Sequence, residues 1–140
     1  GTTISEARSN WLSHGLESYS FRFRHSCFCT SEGGGIWYPS DATVVVSEGI
    51  VVDASSVHYF PVPQFDPPFE EPPSEPDLSA FQTIDAYFDQ LDQWRQHSDL
   101  VIVSYDPLWG YPRRITLDHS YGPVDDGDEY VLDELVTPAP

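Results

Sequence analysis

The 140-residue chain contains no lysine and no methionine, and only two cysteines. No apolar run approaches the ~20 residues of a spanning helix, so no segment reads as one. Without lysine, all positive charge rests on six arginines, set against 23 Asp and Glu for a formal net charge of -17. A surface so acidic repels phosphate backbones and anionic lipid, which argues against nucleic-acid and membrane-surface partners. Self-repulsion of that size is eased by salt, so a saline or extracellular setting is expected. Methionine is missing even at position 1, so we expect a processed mature chain or an excised piece of a longer one, with any signal peptide or lipid-anchor segment removed. Enzyme signatures are lacking too. There is no Gly-x-Ser-x-Gly elbow, no His-Glu-x-x-His and no phosphate loop. Gly33-Gly34-Gly35 follows a strand pattern, but no helix pattern comes after it. The expectation is a protein that is not an enzyme and needs no cofactor.

What is present suffices for one domain. Leu, Ile, Val and Phe make up 35 residues, a quarter of the chain, above the range typical of disorder. Two structured stretches, 1–60 and 78–137, flank a Pro-rich acidic linker, 61–77. Proline fixes φ and removes a donor, so the linker is expected as extended, polyproline-like backbone. Phe60, Phe65 and Phe69 would tack it to the core.

Each stretch reads as a helix followed by three strands. Thr3-Ile4-Ser5-Glu6 has the spacing of a capping box. Ile4, Ala7, Trp11 and Leu12 then share a helical face, and Gly15 stops the helix. After Thr83, the positions Ile84, Tyr87, Phe88, Leu91 and Trp94 form a cleaner stripe. Residues 19–30 alternate as a strand, with Tyr19, Phe21, Phe23, His25, Cys27 and Cys29 on one face. Residues 43–46 and 50–52 read as a hairpin about Glu48-Gly49. Strands 100–105 and 111–118 flank the turn Asp106-Pro107-Leu108-Trp109-Gly110, and 129–136 supplies the last strand. The fold class expected is α+β: a duplicated helix-plus-three-strand unit forming one antiparallel sheet, with both helices on one face. The other face would be partly open, and Trp37, Tyr38, Trp109 and Tyr111 are the aromatics expected to line it.

Ser26-Cys27-Phe28-Cys29 follows an aromatic strand, and Tyr105-Asp106-Pro107, Gly110-Tyr111-Pro112 and Asp118 come later in that order. In these motifs the chain resembles the bacterial family called domain of unknown function 6174, found among secreted proteins and lipoproteins, from about Trp11 to Val136. The resemblance implies export from the cytoplasm to the periplasm, the exterior or a lipid anchor, and no assigned activity. The helix-plus-three-strand unit also resembles PepSY-type and beta-lactamase-inhibitor-protein-like folds. That similarity would suggest a binding or inhibitory module, by fold analogy.

Several side chains invite a sharper reading. Cys27 and Cys29 point the same way on a strand, with Cα atoms ~6.5–7 Å apart, at the edge of what a disulfide tolerates. A structural disulfide, a pair of reduced buried thiols, and a redox or metal role all stay open. His25 makes a His-x-Cys-x-Cys run, but extended chain puts His25 and Cys29 ~13 Å apart, too far to share one ion without a sharp bend. Nothing in the sequence brings His58 close enough to help, so a satisfied, partly buried His25 is the plainer reading. Asp125, Asp126 and Asp128 are weak calcium candidates without EF-hand spacing; an acidic turn is the simpler account. Asp106 fits a turn cap better than a base. Arg113-Arg114 and the alternating Arg22 and Arg24 could hold an anionic partner, but pairing with the chain's own carboxylates is simpler. The leading reading is a monomeric, exported, non-enzymatic module that binds a protein or envelope component. The alternatives are a thiol-disulfide or metal-responsive protein using Cys27 and Cys29, and a hydrolase whose site assembles only in space.

Overall fold

The computed structural model describes residues 2–27, 37–61, 71–96, 100–118 and 128–138, the side chains of Cys27 and Asp118 excepted. Phe28, Cys29, Phe65, Phe69, Asp125 and Asp126 therefore lie outside the described residues.

Helix α1 spans Ile4–Ser13, and Thr3 caps it by accepting the Glu6 amide at 3.1 Å. In the reciprocal contact, the Thr3 hydroxyl donates to the Glu6 carboxylate. Helix α2 spans Ile84–Gln96. Thr83 Oγ1 accepts the Ala86 amide at its start. The strands are β1 (Tyr19–Cys27), β2 (Trp37–Ser47), β3 (Ile50–Pro61), β4 (Leu100–Tyr105), β5 (Pro112–Asp118) and β6 (Asp128–Val136). They form a six-stranded sheet in the order β3-β2-β1-β6-β5-β4, with every neighbouring pair antiparallel. The fold is thus α+β. A 3-10 turn, Leu78–Ala80, leads toward α2.

Period-2 alternation divides the sheet into two unlike faces. On one, Tyr19, Phe21 and Phe23 of β1 stand beside Val46, Val44 and Ala42 of β2 and Leu132 of β6, all buried. Ile115 and Leu117 continue this face on β5. Both helices reach its tyrosines. Trp11 meets Tyr19 edge to face at 5.3 Å, and the Ile84 amide donates to the Tyr19 hydroxyl at 2.9 Å. Tyr87 and Trp94 of α2 lie against Tyr130 of β6. The helices also grip each other. The Arg8 guanidinium spans Asp89 at 2.6 Å and Asp92 at 3.5 Å, and Trp11 Nε1 donates to Asp85. On the other face, the alternate residues of β1 and β2 (Arg22, Arg24, Asp41, Thr43, Val45) are half-buried or exposed.

Both halves enter the sheet in the same sense, with β4, β5 and β6 standing three places from β1, β2 and β3. The first half runs from the centre outward, and the second from the far edge inward. Because all neighbours are antiparallel, β4 runs opposite to β1. A copy that kept chain order would be turned over about an axis in the sheet, and its helix would land on the opposite face. The strand directions therefore lend no support to the expected duplication.

Candidate functional site

Asp106 organises the turn between β4 and β5. The Asp106 carboxylate accepts the amides of Leu108 and Trp109 at 2.9 and 2.8 Å, and its carbonyl accepts from Gly110. This is a side-chain-capped turn, as its Asp-Pro start suggests. Gly110 has φ +86° and touches α1 so closely that a Cβ there would sit 2.6 Å from the Ala7 carbonyl oxygen. That contact draws the following residues into the helix layer. Tyr111 is buried and meets Trp11 at 6.3 Å, and Pro112 beside it is buried as well. Trp109 lies against His14 at 4.6 Å. Two aromatics expected on the open face are thus held against α1 instead. Tyr111 belongs to the core, because the glycine turn pulls it under the helix.

Tyr38 also departs from that expectation. Its ring sits 5.6 Å from His25, which stacks on Tyr130 at 4.1 Å with the planes 6° apart. His25 Nε2 lies 3.1 Å from an Asp128 carboxylate oxygen. His25 is therefore a partnered, largely buried histidine on the aromatic side of the sheet. Burial, and secondarily the Asp128 charge, push the Tyr130 phenol far above its usual range. Trp37 is half-buried at the start of β2, opposite Pro61. Among the described residues, no cluster of three or more His, Cys, Asp or Glu could hold a metal ion.

Register assembles a different site on the polar face. Arg24 of β1 and Arg114 of β5 both stand opposite Val131 of β6, so they lie in one row across three strands. On the other side of Arg114, Ser104 of β4 continues the row. Between Ser104 and Tyr105 the register slips, because Ser104 faces Arg114 while Tyr105 faces Pro112. Arg113 is the extra residue. A bulge re-aims side chains and often does so at working sites. Here Arg113 joins Arg114, Arg24 and Ser104 around a cleft of about 390 Å³, which also includes Tyr105 and Asp133. Three guanidiniums thus gather at one cleft, two of them beside the carboxylates of Asp133 and Glu129, in a chain whose net charge is -17.

Ion pairs cover this face. Arg22 meets Asp41 at 2.6 Å, Arg24 meets Asp133 at 3.4 Å, and Arg114 meets Glu129 at 3.2 Å. The expected pairing of arginines with the chain's own carboxylates is what these three show. Arg24 and Arg114 keep more than half of their side chains exposed. An exposed pair contributes little and is easily exchanged for an incoming anion. Planar guanidiniums suit bidentate recognition of carboxylate or phosphate. The sequence places Arg22 and Arg24 some 90 positions from Arg113 and Arg114, so no local pattern joins them. The bulge has no sequence signal of its own either.

A family model described as "Family of unknown function (DUF6174)" matches residues 3–137 of this chain. No curated protein and no solved structure matches it.

Proposed function

The chain belongs to the DUF6174 family, and from that premise and the geometry above we propose that it is a non-enzymatic, exported binding module. In this reading both helices cover one sheet face, and the polar face is left to a partner. The meeting of both helices on Tyr19, and the Arg8 bridge between them, support that placement. The observation that carries the reading is the row of Arg24 and Arg114 with the bulged Arg113 beside it. Cations gathered at one cleft of an acidic chain favour an anionic partner, because the rest of the surface repels it. The partner is then a carboxylate-rich segment of another protein or of an envelope component. Export fits a chain with two cysteines two positions apart, and it fits the secreted proteins and lipoproteins that the motifs resemble.

A binding titration tests this. Fluorescein-labelled hexaglutamate should bind at low salt and be released as salt rises. In the Arg113→Ala/Arg114→Ala variant the affinity should fall about tenfold, equivalent to ~1.4 kcal/mol. Equal affinity in the variant and the parent would remove the cleft from the account.

A further inference from the structure

We infer that β4 is a docking edge to which an extended, acidic peptide segment of a protein partner adds as a further strand. This rests on the reading of the chain as a module for anionic partners, and it names where and how such a partner binds.

The two edges of the sheet are unlike. β3 is blunted: Ser56 adopts φ +50°, pairing with β2 slips at three places, and the strand ends at Pro61. Bulges and proline are the usual protection of an edge strand. β4 has none of these along Leu100–Ser104. Its sequence, Leu-Val-Ile-Val-Ser-Tyr, carries no charge and no proline, and Leu100 and Ile102 are exposed. Among the described residues, nothing pairs with its outer side. An uncharged, β-prone edge is a hazard for a free protein and an asset for one that takes up a strand.

Cavities flank this edge on both faces and meet at Tyr105. On the helix side, Ile4, Val101, Val103 and Arg95 surround about 270 Å³. On the polar side lies the arginine cleft. A strand laid along β4 sends alternate side chains to opposite faces. Its apolar residues would enter the first cavity and its carboxylates the second. Charge selects the occupant. Among the described residues, Arg8, Arg22, Arg24 and Arg114 have carboxylate partners, whereas Arg113, in the cleft that would receive the strand's carboxylates, does not. A second copy would offer an uncharged β4 and a further net charge of -17, and would leave Arg113 unanswered.

The test uses the full chain and a capped octapeptide alternating valine and glutamate. Hydrogen exchange of the β4 amides should slow at least tenfold at saturation, while the β3 amides stay unchanged. An analogue with the same charges, N-methylated at alternate residues, cannot complete the ladder and should bind at least tenfold more weakly. If the analogue binds equally, or protection appears away from β4, strand addition is wrong although anion binding stands. If neither the octapeptide nor hexaglutamate binds, the underlying reading falls and this one with it. Protection of β4 without peptide, accompanied by a dimer in sedimentation, would assign the edge to a second copy and overturn the proposal.

Discussion

Replacing Gly110 by alanine should be among the most damaging single-methyl changes available in this chain. The added Cβ would sit 2.6 Å from the Ala7 carbonyl oxygen, 2.9 Å from the Trp11 amide nitrogen and 3.0 Å from the Asn10 Cβ. Two of these are helix backbone atoms, so the clash is relieved only by moving the turn or α1. Forcing an L-residue to φ +86° costs roughly 1–2 kcal/mol. Overpacking at the contact adds roughly 1–3 kcal/mol. The sum, about 2–5 kcal/mol, is a large part of the ~5–15 kcal/mol available to a domain. Gly49 supplies the control. It also has positive φ, at +77°, but a Cβ there meets nothing within 4 Å. Gly49→Ala should therefore show the conformational cost alone. Urea unfolding of both variants, followed by tryptophan fluorescence, separates the terms. Gly110→Ala should exceed Gly49→Ala by about 1–3 kcal/mol. Equal losses, or a loss at Gly110 below about 1 kcal/mol, would refute the close packing of the turn on α1.

Other expectations follow from the same contacts. Burial, set against the Ile84 amide that favours the phenolate, raises the Tyr19 pKa to about 12, and Tyr87 and Tyr130 are raised as well. Folding thus favours the neutral phenols. Their contribution is whole below pH 10, the unperturbed value, and drains as pH climbs through 12. With no lysine to titrate in that window, urea midpoints should fall between pH 9.5 and 11.5 together with tyrosinate absorbance; flat midpoints would contradict the burial. Tyr19→Phe leaves the Ile84 amide without its acceptor and should cost about 1–3 kcal/mol in thermal or urea melts; no cost would mean that water replaces the hydroxyl. If Cys27 and Cys29 are joined, denatured but unreduced protein should show no reactive thiols; two reactive thiols would exclude the bond.

Much of the fold was legible because its signals are local. Thr3, with Glu6 three residues on, marks the start of α1, and Ile84, Tyr87, Phe88 and Leu91 are the buried stripe of α2. Alternation along β1 puts Tyr19, Phe21 and Phe23 in the core and leaves Ser20, Arg22, Arg24 and Ser26 half-buried or exposed. The hairpin strands run longer than their Val-rich centres suggest, because β2 begins at Trp37 and takes in Pro39 and Asp41, residues with poor strand propensity. The aromatics went astray for a different reason. Only a close turn-to-helix contact shows that Gly110 draws Trp109 and Tyr111 toward α1, and periodicity carries no trace of it. The arginine cleft was the least legible feature, since it depends on pairing β1 and β5 with the same strand, β6, in one register.

The most direct check of the central claim is a ¹⁵N chemical-shift map of the full chain titrated with unlabelled hexaglutamate. The account predicts that the largest shifts gather at Arg24, Ser104, Arg113, Arg114 and Val131, across β1, β6, β5 and β4. Shifts gathered instead around α1 and α2, or none at millimolar peptide in low salt, would contradict it.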